Sequence, residues 1–250
     1  MPLKLTVIGS EPAWPSAGLA CSGYLLESPN ARVLVDCGTG VFERVRGMLA
    51  PEALTAVLLS HTHFDHWLDL IPFRHYLGHE AGARGSVQLV VPPGGLHTLG
   101  QVAQAVDGDA RFFDTVFRSS EYDPSSHLVL ADINVRFSRT QHPVATYALR
   151  FECGGSVLVF SADTGWNPSL ADFARGADLF LCEAAFGSGP SAGDMHLTAT
   201  QAGELARSAE VRQLVLTHLA ASDASRSVEL AATAFGGPVA HASAGSAFAL

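Results

Sequence analysis

The chain alternates short apolar runs with polar turns rich in glycine and proline. Runs of four to eight residues bounded by such turns predict buried strands, because a helix needs a longer and differently spaced pattern. In the N-terminal half they fall at residues 3–8, 22–27, 32–35, 53–60 and 87–91. The turn Asp36-Cys37-Gly38-Thr39-Gly40 predicts a following helix of about two turns. In the second half strands are expected at 133–138, 146–151, 156–161, 179–182 and 213–217, with helices at 199–209 and 226–234. Short strands in both halves with interspersed helices predict an α/β chain of two stacked sheets with helices outside.

No linker, charge block or low-complexity tract divides the 250 residues, so one domain spanning 1–250 is expected. Only 16% of residues are charged, which leaves enough apolar chain for a sizeable core. The net charge of −9 matters more, because an acidic protein repels a polyanion. Lysine occurs once, at Lys4, and the arginines are scattered, so no basic run is long enough to hold a folded RNA. A small anion meets no such objection if metal ions neutralise it locally. Cys21, Cys37, Cys153 and Cys182 show no C-x-x-C spacing and read as small buried residues of a reducing compartment. The N-terminus is too short and strand-like for a signal peptide and no apolar run approaches a membrane span, so a soluble, cytoplasmic protein is expected.

Chemistry concentrates in His61-Thr62-His63-Phe64-Asp65-His66, directly after an apolar strand. In extended backbone, side chains at i and i+2 point the same way, so His61 and His63 can reach one metal. A helix starting near Asp65 would turn Asp65 and His66 toward a neighbouring point, suited to a second. Imidazole and carboxylate ligands fit zinc, manganese or iron. Further ligands are expected at later strand ends: His142 before Pro143, Asp163 in Phe160-Ser161-Ala162-Asp163-Thr164-Gly165, and His218 after Leu214–Thr217.

H-x-H-x-D-H followed by a lone His, a strand-end Asp and a last His resembles the metallo-β-lactamase superfamily from Val7 to His218. The resemblance implies a four-layer αββα sandwich of two mixed sheets and a site of two divalent metals, zinc first, with manganese or iron also accommodated. It assigns His61, His63 and His142 to the first metal and Asp65, His66 and His218 to the second. Asp163 bridges them, and Asp36 supports the metal histidines from behind. Glycines beside Asp36 are expected to allow its tight turn.

Two further features narrow the branch. Glu183 ends a strand, and His196-Leu197-Thr198 precedes a helix on which Thr198 and Gln201 fit a capping box. His196 then stands by the positive end of a helix, a natural place for phosphate. This pair resembles the phosphodiesterase branch, with tRNase Z and, more closely, compact actinobacterial cyclic-nucleotide phosphodiesterases. The closer likeness rests on Ser22-Gly23-Tyr24-Leu25-Leu26, Asp69-Leu70, the Asp163 turn and His196-Leu197-Thr198. It implies catalytic roles for Asp65, His196 and Glu183, a small phosphodiester such as cyclic AMP as substrate, and a homodimer. The long arm by which tRNase Z grips tRNA has no room in the 21 residues from His142 to Asp163. The alternatives are a tRNA 3′-end processing endonuclease and a thioester or lactone hydrolase on the same fold. Ser10, Ser16 and Ser22 are expected near the pocket mouth, and Trp14, Phe64 and Trp67 against a substrate base or in rim and core packing. His75, His79, His97, His127 and His241 are expected to stay outside the site.

Overall fold

The computed structural model describes residues 3–191 and 193–250. The first sheet is built from β1 (Lys4–Gly9), β2 (Gly23–Glu27), β3 (Arg32–Val35), β4 (Ala56–Leu58), β5 (Gln88–Val91) and β6 (Arg118–Glu121). These lie side by side in chain order, and β14 (Ala247–Ala249) closes the free edge of β1. The second sheet runs β7 (Leu128–Leu130), β8 (Ile133–Arg139), β9 (Tyr147–Cys153), β10 (Ser156–Phe160), β11 (Leu179–Glu183), β12 (Leu214–Thr217) and β13 (Val239–His241). Both sheets are mixed: neighbours are antiparallel from β1 to β3 and β7 to β10, and parallel from β3 to β6 and β10 to β13.

The inner faces of the sheets meet in a core that includes Leu5, Tyr24, Val35, Phe151, Phe160 and Leu181. Tyr24 and Phe160 touch across it with ring centroids 5.1 Å apart. Helices α1 (Val41–Met48), α2 (Leu70–His75) and α3 (Gly95–Asp107) press Val45, Phe73 and Leu99 onto the outer face of the first sheet. Helices α4 (Ser169–Ala174), α5 (Ala199–Ser208) and α6 (Ala224–Phe235) cover the second with Leu170, Leu205 and Ala231. The result is the expected αββα sandwich.

Two expectations need correction. The strand predicted at 53–60 pairs only over Ala56–Leu58. Ser60 has left the ladder because its N–H bonds Asp36 Oδ1 at 2.8 Å instead. The helix expected near Asp65 is a single 3₁₀ turn, Phe64–His66, entered from an extended His63. Helices α3 and α4 and the strands β6, β7, β13 and β14 have no counterpart among the expected elements.

Candidate metal centre

Register brings the chemistry together. Val35 pairs with Leu58, so the segments after β3 and β4 deliver Asp36 and His61 side by side. Phe160 pairs with Leu181 and Glu183 with Thr217, so Asp163, Glu183 and His218 emerge abreast at the same end of the second sheet. The sheets are tied here by the Tyr24 and Thr217 hydroxyls, 2.6 Å apart. Three non-glycine residues at these strand ends, Asp36 (φ 58), Ala162 (φ 50) and His218 (φ 51), adopt left-handed backbone. That conformation costs about 1–2 kcal/mol for an L-residue and is characteristic of functional turns.

His61, His63, His142 and Asp163 place one ligand atom each within 4.8 Å of one another, and Asp65, His66 and His218 do the same. Asp163 stands between the two groups. Its Oδ2 lies 3.7 Å from His61 Nε2 and 3.5 Å from His218 Nε2, while its Oδ1 lies 3.4 Å from His66 Nε2. Asp65 Oδ2 is 3.5 Å from His66 Nε2 and 3.9 Å from His218 Nε2. Most of these separations are long for charge-assisted hydrogen bonds. They are close to the edge of a ligand tetrahedron with metal–ligand bonds of about 2.0–2.1 Å.

Four of the five imidazoles are aimed from behind, while His63 Nδ1 lies 3.0 Å from His142 Nε2 within the site. Asp36, fully buried, accepts from Ser60 N, Ser60 Oγ and His66 Nδ1, all at 2.8 Å. Ser60 Oγ also meets His61 Nδ1 at 3.0 Å. The Met195 carbonyl accepts from His142 Nδ1 at 3.1 Å, and Ser22 Oγ lies 3.2 Å from His218 Nδ1. Fixing one ring nitrogen in this way leaves the other for the site. His61 Nε2, His66 Nε2 and Asp163 Oδ1 are buried with no hydrogen-bond partner among the described residues. Buried orphans are costly, and three of them spread over the two groups, with Asp163 between, fit a ligand set for cations.

Electrostatics agree. Burial lowers the pKa of His61 and His63 and pushes His142 down to about 4, so the first group is neutral imidazole, the form that ligates. His66 behaves oppositely: burial opposes its charge, but Asp163 and Asp36 raise its pKa well above the usual value. Carboxylates that favour a proton there would also favour a metal ion. Burial likewise opposes ionisation of Asp163 and Asp65, yet the surrounding histidines hold both pKa values low.

Beside these groups, Glu183 Oε1 is 2.9 Å from His196 Nδ1. Glu183 is fully buried and also accepts Thr164 N, Ala185 N and Leu197 N. The capping box is present, with Thr198 Oγ1 receiving Gln201 N and Gln201 Oε1 receiving Thr198 N. Burial lowers the pKa of His196, but the hydrogen bond and charge of Glu183 outweigh it and the net shift is upward. His196 also falls within 4.8 Å of Asp163 and His218, so position alone allows it to ligate.

Of these groups His63, Asp65, Asp163, His196 and His218 line a cavity of about 500 Å³ walled also by Trp14, Phe64, Leu68, Phe186 and Met195. Trp67 is not in this wall. It is fully buried in the core and donates Nε1–H to the Thr62 carbonyl. The serine expectation also fails. Ser10 and Ser22 are buried behind the site, and Ser16 donates to Glu11. His75, His79, His97, His127 and His241 join neither ligand group. Gly40 does make the left-handed turn into α1, with φ 85, but Gly38 serves close approach: a Cβ there would meet the Asp65 carbonyl oxygen at 1.8 Å. Ser60, Met195 and Glu11 were not anticipated. Only Ser60, beside His61 at a strand end, carried a sequence signal.

The family described as "Beta-lactamase superfamily domain" matches residues 31–219. The "Probable metallo-hydrolase YhfI" of Bacillus subtilis is 35% identical over 225 residues, covering 87% of each chain. Its crystal structure, described as a metallo-beta-lactamase fold protein, superposes with a TM-score of 0.89 at 29% identity over 99% of both chains. "Uncharacterized protein Rv1339" of Mycobacterium tuberculosis is 34% identical over 223 residues, 87% of this chain and 81% of that one. "Ribonuclease Z" of Mycobacterium marinum is 27% identical over 264 residues, 95% of each. No helix among the described residues is long and apolar enough to cross a membrane. With its family match, its fold and its two His/Asp groups, this chain belongs to the β-lactamase superfamily, as a metallo-hydrolase of the metallo-β-lactamase fold similar to YhfI and Rv1339.

Proposed function

We propose that the protein is a metal-dependent phosphodiesterase acting on a small phosphodiester, a cyclic nucleotide such as cyclic AMP being the best fit. The observation that carries this reading is the buried Glu183–His196 pair, 2.9 Å apart, standing beside the two ligand groups. When bound, two divalent ions would polarise the phosphate and lower the pKa of a water toward neutrality. His61, His63 and His142 would hold one ion, Asp65, His66 and His218 the other, with Asp163 shared. Asp65 also orients the attacking water. The water, after releasing one proton to solvent, bonds through its own oxygen to phosphorus as the bond to the leaving oxygen breaks. His196, whose pKa Glu183 raises, gives a proton to the leaving oxygen.

Two observations favour a small substrate over a folded RNA. The chain between His142 and Asp163 is the hairpin β9–β10, turned in two residues by Gly154 (φ 58) and Gly155 (φ 88), which leaves no arm. The net charge is −9, and among the described residues no lysine or arginine lines the cavity.

The test is a turnover screen of metal-loaded protein with bis-p-nitrophenyl phosphate, 3′,5′-cyclic AMP, a 2′,3′-cyclic nucleotide, a thioester and a lactone, with His63→Ala as control. Diester turnover that disappears in the control supports the reading. Turnover of the thioester or lactone alone overturns it. His196→Ala is expected to retain its metal and lose about 10²–10⁴ in rate; loss of metal instead would make His196 a ligand.

A further inference from the structure

A cavity that binds a phosphate at one end must recognise the rest of its substrate with the other. Here the far wall is apolar and uncharged. Of the eight large apolar side chains left exposed among the described residues, Trp14, Phe64, Leu68 and Met195 line this one cavity. Apolar exposure gathered at a single mouth marks a binding surface rather than random surface composition.

Two members are flat, projecting and held in place. Trp14, 72% exposed, rides on the loop between β1 and β2. That loop is pinned by Glu11, itself only 2% exposed, which accepts Ser16 N and Ser16 Oγ on one side and Ala221 N, three residues beyond His218, on the other. Ser10 N and Glu11 N both donate to the Ala20 carbonyl, closing the loop at its base. Burying a carboxylate is expensive unless it is fully paired, and here the pairing fixes the loop that presents an exposed tryptophan. Phe64, 61% exposed, sits between His63 and Asp65 in the 3₁₀ turn, so its backbone is fixed by residues of both ligand groups. Rigid aromatics lose little entropy when a ligand stacks on them.

We propose that Trp14 and Phe64 are the specificity-determining residues, forming the face on which the planar, uncharged base of a nucleoside phosphodiester stacks. This rests on the phosphodiesterase reading and adds the recognition element to it. The wall offers no cation for a second phosphate, which matches a substrate whose one phosphate is held at the metal end. Base–aromatic stacking is sequence-tolerant, and its loss weakens binding by about 5- to 150-fold per base. The site is therefore expected to require a base while discriminating weakly among bases.

The test is calorimetric titration of the metal-loaded protein with three probes: adenosine 5′-monophosphate, ribose 5-phosphate and hexyl phosphate. The first is expected to bind at least about 10-fold more tightly than the other two. Trp14→Ala and Phe64→Ala are each expected to reduce that preference about fivefold or more, with the affinity for ribose 5-phosphate preserved, and Trp14→Phe to retain most of it. A preference untouched in both alanine variants overturns the proposal. Hexyl phosphate binding as tightly as the nucleotide also overturns it, because the wall would then read apolarity and not a planar base. Turnover of bis-p-nitrophenyl phosphate by the unaltered protein, measured in parallel, separates the two levels. With diester turnover present, an unchanged preference removes only the stacking face; with it absent, the phosphodiesterase reading falls and the stacking face with it.

Discussion

Glu183 gives the sharpest quantitative consequence of the geometry. Its carboxylate has no exposed surface and four donors: Thr164 N at 2.8 Å and His196 Nδ1 at 2.9 Å on Oε1, Ala185 N at 3.0 Å and Leu197 N at 3.3 Å on Oε2. In Glu183→Gln one carboxylate oxygen becomes an NH₂ group that can only donate. Turned one way, the amide NH₂ faces Ala185 N and Leu197 N; turned the other, it faces Thr164 N, with His196 able to accept only by switching tautomer. An orphaned buried donor costs about 1–3 kcal/mol, so the substitution is expected to destabilise by about 1–6 kcal/mol. Glu183→Ala strands three backbone N–H groups and is expected to cost about 3–9 kcal/mol, a large share of the roughly 5–15 kcal/mol that holds a protein folded. The assay is urea unfolding of the three proteins at the same saturating zinc concentration. With a slope of about 3 kcal/mol/M, the glutamine variant should unfold about 0.3–2 M earlier, and the alanine variant about 1–3 M earlier or not fold at all. If both variants unfold within about 0.3 M of the parent, Glu183 does not hold these donors and the account of how His196 is positioned fails.

Asp36→Ala removes the acceptor shared by His66 and Ser60, and metal affinity is expected to fall about 10- to 100-fold; competition with a zinc chelator measures it, and an unchanged affinity would refute the supporting role. All four cysteines are free and buried, and burial raises every thiol pKa, Cys21 to about 11. The native protein is therefore expected to react negligibly with a disulfide reagent at pH 8 and to release four thiols on denaturation; prompt reaction of the folded protein would contradict this burial.

Much of the fold was legible because its signals are local. The fully apolar runs that become β4, β10, β11 and β12 read as buried strands, and Thr198 with Gln201 marked the start of α5 within one turn. Helix α3 was hidden because its buried face is made of Gly95, Leu99, Gly100 and Ala103, too small to give a strong apolar period, and because Gly-Gly opens it. Strand β6, Arg-Ser-Ser-Glu, is almost all polar and exists only because β5 offers it a free edge. In the site, H-x-H-x-D-H and the strand-end His142, Asp163 and His218 were visible as residue types. What could not be read were relations between distant segments: Ser60 linking Asp36 to His61, the Met195 carbonyl on His142, and Glu11 spanning from the Trp14 loop to the segment after His218. Next to His66 in sequence, Trp67 is a candidate for the substrate wall, but the 3₁₀ turn sends it into the core, against Phe113.

The most direct test is the metal content of the folded protein. Protein loaded with excess zinc, passed through a desalting column and analysed by plasma mass spectrometry is expected to hold two zinc ions per chain. His142→Ala and His218→Ala, each removing a ligand from a different group, are each expected to lower that number toward one. Two ions in the parent and about one in each variant would fix the site as two ligand groups sharing Asp163. A single ion in the parent, or two ions retained in both variants, would mean that these side chains converge for some other reason.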